Sequence, residues 1–488
     1  MPWLSVMTFA PLLGAVVLLL LPKDRHALIR GTALLAAGIS AAAAVVVFFG
    51  YDVSRGGFQF QEQLPWLPQL GIQYQVAVDG SAVVLLLLTG IVIVTGIFAS
   101  WRVAYRPKDF FALLLLLVTG VYGVFSAVDL FFFFFWYEVA VLPMYLLIAV
   151  WGSTNREYGA LKLTLMLVAG SILVWVGLLL LYHASGRNSF DFFLLQQVEF
   201  SPEVQSVAFL LFLVGFGVLA GMWPLHTWSP DGHVAAPTAV SMLHAGVLMK
   251  LGAFGILRIA MTLLPEGARS WLPLLLVLAT VNVIYGALSA MAQRDLKYVI
   301  GYSSVSHMGY VLLGLASFSL IGTTGAVLQM FSHGIMTALF FAMVGAIYEQ
   351  AHTRDISAFG GLVRRMPVVS CCFILAGLAS LGLPGLSGFV AEVLVFLGLF
   401  QAQPWPVGAL AVLGVAITVT YILRLLARVF FGPLDAKWQH LQDGAPLERV
   451  GGIVLAAFLV VVGLYPAPLL TLISSSVLPV VRRLGGVE

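Results

Sequence analysis

Charge is what this chain has least of. Only 9% of its 488 residues are Asp, Glu, Lys or Arg, against 61% hydrophobic, whereas soluble domains average about 25% charged. That shortfall excludes an ordinary water-soluble enzyme. Cysteine is nearly absent as well. Cys371 and Cys372 stand side by side in an apolar run, so no metal or iron–sulfur framework can be built from them. No glycine-rich nucleotide loop sits between a strand and a helix. The chain by itself offers no evident site for NADH, flavin, ATP or a metal, and nothing marks it for nucleic acid. No soluble domain interrupts the apolar runs; the longest polar stretches are about residues 51–79, 183–204 and 431–450.

What the chain has is membrane-length apolar sequence. Its mean hydropathy is +1.03, and a membrane span needs about 20 apolar residues. Short polar breaks divide the chain into about fourteen helices, beginning near residues 4, 27, 80, 110, 130, 160, 205, 235, 271, 298, 322, 367, 407 and 451. The fold class is therefore an all-α polytopic membrane protein. No basic segment precedes the first run, so it reads as span one rather than a cleaved signal. Alternation in Ile72–Val78 suggests a small hairpin outside the membrane. The 431–450 stretch, with Asp435, Lys437, His440, Asp443, Glu448 and Arg449, reads as a solvated inside loop or surface helix, with a docking surface for a partner as the alternative.

Lys and Arg set the orientation. With the N-terminus outside, seventeen lie in inside loops or inner helix ends and five outside, while Lys250 and Arg258 lie in the membrane. This bias fits the positive-inside rule with both termini outside.

Two segments are not simple spans. From Met366 to Trp405 the chain stays largely apolar for 40 residues, which as one helix would be about 60 Å long, twice a bilayer core of about 30 Å. It contains Gly382-Leu-Pro-Gly-Leu-Ser-Gly388, where proline and glycine break a helix. Gly221-Met-Trp-Pro-Leu-His-Thr-Trp-Ser-Pro-Asp-Gly-His233 interrupts a second apolar stretch. Broken helices at membrane depth need protein or a wet cavity to satisfy the freed backbone. The breaks fall in spans seven and twelve. This spacing suggests two inverted five-helix repeats, about 110–262 and 271–430, preceded by helices one to three (1–109) and followed by a C-terminal helix (451–488).

Three charges lie deep in apolar runs: Glu138, Lys250 and Glu392. A charge at the bilayer centre costs a few kcal/mol or more, so it tends to persist where it is paired, solvated or working. A lysine in such a place is charged when a carboxylate faces it and neutral when that charge leaves, which suits a switchable proton carrier. His244, His307 and His333 lie in spans eight, ten and eleven, between Lys250 and Glu392 or close to them in chain order. One histidine among apolar residues is commonly a packing residue; the group reads as a proton relay completed by water. His226 and His233, beside the first break, read as a polar plug capping helix ends, Lys162 as an inside anchor, and Arg424 as a salt-bridging or snorkelling residue. The aromatic run Phe131–Trp136 reads as packing or lipid-facing surface.

These motifs resemble a known family. Pro224-Leu-His-Thr-Trp-Ser-Pro-Asp-Gly-His233, Ala236-Pro-Thr-Ala239, Ala245-Gly-Val-Leu-Met-Lys250 and Gly255-Ile-Leu-Arg258 look like the antiporter-like chains of respiratory complex I. Asp295-Leu-Lys297, Tyr302-Ser-Ser-Val-Ser-His-Met-Gly-Tyr310, Tyr348-Glu-Gln-Ala-His-Thr-Arg354 and Gly382-Leu-Pro-Gly-Leu-Ser-Gly-Phe-Val-Ala-Glu392 resemble chain M in particular. The resemblance covers nearly the whole chain. It implies a fourteen-helix inverted-repeat fold and proton translocation coupled to electron transfer from NADH to quinone elsewhere. It implies partners among the other membrane subunits, homologous antiporter-like chains included, with flavin, iron–sulfur clusters and quinone on partner subunits. It also implies a bacterial-type energy-transducing plasma membrane. The family's span-five glutamate falls on Glu138, its span-eight lysine on Lys250 and its span-twelve glutamate on Glu392; His307 and His333 match channel histidines. One position departs: Leu219 stands where the family usually carries the lysine that pairs with the span-five glutamate. No Lys or Arg lies between 188 and 249, so His226 or His244 is the candidate substitute. An Mrp-type cation/proton antiporter, a membrane-bound hydrogenase module and a non-pumping membrane spacer are the competing readings.

Overall fold

Apolar length decides the architecture. The computed structural model describes residues 1–487. Among them, thirteen helices are long and apolar enough to cross a membrane. They are spans one (Trp3–Leu20), two (His26–Gly50), three (Gly80–Ala99), four (Pro107–Ser126), five (Leu130–Trp151), six (Arg156–Ala184) and seven (Pro202–Ala220), then eight (Thr238–Met261), nine (Pro265–Met291), ten (Leu296–Ala316), eleven (Leu320–Ala351), thirteen (Trp405–Phe430) and fourteen (Pro446–Leu464). Two shorter apolar helices, Pro367–Ser380 and Ser387–Ala402, together make span twelve. Most observed helices begin up to six residues before the expected starts, because their first turns carry polar or proline residues that hydropathy discounts, whereas span eight begins at Thr238, three residues after its expected start and just past Pro237.

The C-terminal region differs from the expected single helix. Span fourteen ends at Leu464, and a separate helix runs over Ala467–Arg483 after Pro466. This second helix is amphipathic, with Arg482 and Arg483 in its last turn, so an apolar-run criterion passes over it. Ser476 on it hydrogen-bonds Ser81 at the start of span three, at 2.6 Å.

A hairpin covers the end where span one begins. Strands β1 (Gln59–Leu67) and β2 (Ile72–Val78) pair antiparallel. Glu62 on β1 accepts the Leu4 and Ser5 N–H groups at 2.9 and 3.1 Å. A carboxylate here meets orphan donors and the positive end of the helix dipole.

The two ends of the bundle carry a matched device. At the hairpin end, Leu130 N donates to Phe190 O and Phe192 N to Val128 O, pairing Asp129 with Asp191. At the other end, Leu296 N donates to Arg354 O and Ile356 N to Arg294 O, pairing Asp295 with Asp355. Each aspartate caps the helical turn that follows it. The ends are opposite ones: Arg354 bonds Ser153 and Thr154, which follow span five, whereas Asp129 precedes it.

Spans eight, ten and eleven form the bundle centre, with 100%, 94% and 100% of their apolar windows buried. Spans eight and eleven approach closely because both are glycine at the crossing. A Cβ on Gly334 would meet Gly246 O at 2.6 Å, and one on Gly246 would meet Gly334 O at 3.1 Å. Small residues permit such backbone contact, and this crossing lies beside Lys250 and His333.

The 431–450 stretch is more than a solvated loop. Asp435 and Lys437 form an exposed pair at 3.2 Å, but Asp443 accepts the N–H groups of Val368 and Val369 at 2.9–3.1 Å and so caps span twelve. Trp438 is buried against Phe359.

Candidate functional site

Span twelve stops at Ser380 and resumes at Ser387. The gap needs glycine: Gly382 and Gly385 have φ of +74° and +94°, a region that L side chains avoid. A Cβ on Gly382 would lie 2.8 Å from Glu392 Oε2, so the break also makes room for this carboxyl.

Glu392 is 3% exposed. Its Oε1 lies 3.4 Å from His307 Nδ1 on span ten. Gln329 Nε2 on span eleven is 3.2 Å from the same nitrogen. The other ring nitrogen, His307 Nε2, meets Ser380 Oγ at 2.9 Å, at the end of the first half of span twelve. The His307 and His333 rings have centroids 5.3 Å apart. His333 Nδ1 is 2.8 Å from Lys250 Nζ. Glu392, His307, His333 and Lys250 thus form one buried line across four spans.

Lys250 has its place because span eight is not a regular α-helix. A wide π-type turn runs over His244–Leu248 immediately before it, and Lys250 Nζ donates to the Ala245 carbonyl, five residues back. Such turns are frequent at functional sites. Lys250 is fully buried. Burying an ammonium costs several kcal/mol unless hydrogen bonds compensate; here a carbonyl and an imidazole do so.

Beyond Lys250 the line reaches two further histidines. His244 stacks on Trp228 with centroids 5.0 Å apart and lies 4.2 Å from the His233 ring. Both ring nitrogens of His226, His233 and His244, and Nε2 of His333, are buried with no protein partner. An unmet buried polar group costs about 1–3 kcal/mol, so bridging water is the physical expectation for them. The reading of His226 and His233 as helix caps is corrected by this geometry. Trp228 Nε1 closes the break instead, donating to Val218 O at 2.9 Å.

Glu138 stands apart from this line. It is half-buried on span five, and its Oε1 meets no protein donor. Ser171 on span six faces it. Among the described residues no base lies within ion-pair distance of Glu138, and Leu219 is fully buried. The expected partner of Glu138 on a neighbouring helix is therefore not found.

The burial and partners of several ionisable groups escaped the sequence reading. Lys297 reads as an inner helix end, yet it is 4% exposed and its Nζ donates to Ala236 O at 2.6 Å. Ser241 Oγ is 3.3 Å from the same amine. Lys162 is no plain anchor: it pairs with Asp231 at 2.7 Å, and Tyr298 donates to that carboxylate at 3.0 Å. Arg354 is buried against Asp295 at 3.0 Å. Arg258 is buried against Asp79 at 2.6 Å, its guanidinium between Phe58 and Phe254. Only burial at a Pro-rich turn (Ala236-Pro237) could have hinted at Lys297; the rest depend on long-range packing.

Comparison with known proteins gives the family. The family model "NADH:quinone oxidoreductase/Mrp antiporter, TM" matches residues 127–418. The chain is 39% identical over 475 residues to NAD(P)H-quinone oxidoreductase chain 4 1 of Synechococcus sp. (strain JA-3-3Ab), covering 95% of this chain and 90% of that one. It is 40% identical over 474 residues to chain 4 2 of Thermosynechococcus vestitus, covering 95% and 89%. Among solved structures, a chain of respiratory complex I from Thermus thermophilus superposes with TM-score 0.90 at 29% identity, over 99% of this chain and 100% of that chain. A chain of the Mrp complex from Dietzia superposes with TM-score 0.87 at 22% identity, over 99% of both, a likeness of fold. Matched over more than half its length by the family model and over nearly all of it by these relatives, the chain belongs to the NADH:quinone oxidoreductase/Mrp antiporter transmembrane family.

Proposed function

We propose that this chain is a proton-translocating membrane subunit of a complex I-type NAD(P)H–quinone oxidoreductase, and that protons pass along Lys250, His333, His307 and Glu392. The carrying observation is the contact series 2.8 Å from Lys250 to His333, 5.3 Å between the two imidazole rings and 3.4 Å from His307 to Glu392. Imidazole titrates near neutral pH and offers two nitrogens, so it can take a proton on one side and release it on the other. Ser380 and Gln329 fix the His307 ring between two donor–acceptor neighbours. His244 and His233 extend the line through water. The chain's own part is proton transfer; electron transfer, with its flavin, iron–sulfur clusters and quinone, belongs to partner subunits. Neighbouring antiporter-like chains of the same assembly pack against its lipid-exposed faces. It sits in a bacterial-type plasma membrane with both termini outside, an orientation supported by the charge bias. The matched aspartate devices at the two ends, and the breaks in spans seven and twelve, support two inverted repeats near 110–262 and 271–430.

The unpartnered Glu138 favours one narrower reading: the second half of the chain conducts, while the first half lacks its usual glutamate–lysine switch. Lys250→Met tests the role of the line. It should lower the protons moved per electron by the assembled complex while leaving assembly intact. An unchanged ratio would make the chain a spacer.

A further inference from the structure

A cavity of about 500 Å³ opens between spans nine, ten and thirteen, at the end of the bundle where Arg354 lies. Its volume lies in the usual ligand-site range of about 300–1,000 Å³. Arg294, Arg424 and Arg428 line it, with Gln293, Ser357 and Tyr421. Arg424 and Arg428 are exposed, stand one helical turn apart in the last two turns of span thirteen, and make no hydrogen bond or ion pair among the described residues. The one carboxylate on the rim, Asp355, is held by Ser357, whose N–H and Oγ both donate to Oδ1 at 2.8 Å. Three guanidiniums therefore face one carboxylate that is already engaged. Tyr421 closes the floor, its hydroxyl turned inward to Ser303 at 2.9 Å.

Toward the bilayer, span thirteen continues the face that carries Arg424 and Arg428 with apolar residues. Leu413 and Leu410 lie eleven and eighteen residues before Arg424 and Arg428, about three and five turns along the same helix face, and are 50% and 42% exposed. A basic head-end above an apolar helix face is matched by an amphiphile with a negative head. Guanidinium forks match phosphate oxygens in pairs, and basic pockets between spans at the cytoplasmic surface bind anionic lipid heads.

We propose that this pocket holds the phosphodiester head of an anionic phospholipid of the inner leaflet, its acyl chains lying along span thirteen. The inference does not depend on the proton line.

The test uses the intact purified complex, delipidated in detergent and titrated with phosphatidylglycerol, with bound lipid counted by native mass spectrometry. Arg424→Gln/Arg428→Gln should retain one phosphatidylglycerol fewer per complex, or bind that copy about thirtyfold more weakly, at about a tenfold change per 1.4 kcal/mol and about 1 kcal/mol per arginine. Arg424→Lys/Arg428→Lys should fall between, since it keeps charge and loses the fork. Equal retention by wild type and the Gln variant would overturn the proposal. So would equal occupancy by phosphatidylcholine, or displacement of the lipid by millimolar inorganic phosphate. Cross-linking of a Cys placed at position 424 to a partner subunit in the native membrane would assign the pocket to a protein segment and overturn it as well.

Discussion

Replacing Glu392 by Gln removes a proton carrier while keeping its shape. The side chain is 3% exposed, and an amide fits the room left by Gly382. A glutamine can still hydrogen-bond His307, so the fold should lose no more than about 1 kcal/mol, the net worth of one hydrogen bond. Function should lose far more. A positioned acid–base group contributes about 10²–10⁴-fold to a proton transfer, or about 3–5 kcal/mol of barrier. With His307 Nδ1 facing Glu392 at 3.4 Å and only Ser380 and Gln329 as its other hydrogen-bonding neighbours, no parallel acceptor is at hand. The complex would be reconstituted in vesicles, with NADH oxidation and lumenal pH followed together. Protons per electron should fall by the share of this subunit, or turnover should fall with pumping if the steps are tightly coupled. A native gel checks assembly. An unchanged ratio at unchanged turnover, in a fully assembled complex, would refute the relay role of Glu392.

Two further outcomes are expected. Leu219 follows Val218, which packs on Gly170 beside Ser171, the residue facing Glu138; Leu219→Lys should therefore be tolerated far better with Glu138 present than in a Glu138→Gln background, where a buried lone ammonium costs several kcal/mol. A thermal-stability cycle measures this, and additivity within about 0.5 kcal/mol would place Glu138 out of reach. Asp129, at the mouth of span five, has its carboxyl pushed up to about 6 by burial, with Asp191 nearby adding to the shift. The folded state thus favours the proton, so this contribution is present below about pH 4 and is lost as pH rises through about 6, on the order of 2–3 kcal/mol. Melting of the solubilised complex at pH 4.5 and 7 should show a smaller loss in Asp129→Asn than in wild type; identical losses would contradict the assignment.

The spans and the two helix breaks are legible in sequence because hydropathy, proline and glycine act locally. Lys250, His333, His307 and Glu392 were legible as types: ionisable groups in apolar runs demand compensation. Their order in space was not, since it depends on the Gly246–Gly334 crossing and on the π-type turn before Lys250. Lys297 shows the opposite failure. Two residues after a helix-capping aspartate it looks like a solvated anchor, but the Ala236-Pro237 turn brings carbonyls over it from 61 positions away. Charge counting treats Arg354 as an inside cation too, whereas the fold buries it against Asp295. The amphipathic helix Ala467–Arg483 eludes an apolar-run search for a similar reason: its inner face is settled by packing on spans three and eleven.

The most direct measurement is a high-resolution map of the intact complex, read for ordered water around His333 Nε2 and the ring nitrogens of His244 and His233. Density bridging these atoms to Lys250 is expected, giving an unbroken chain of donors and acceptors to Glu392. Side-chain carbon packed against these nitrogens, with no water density between them and Lys250, would contradict a proton line through the centre of the bundle.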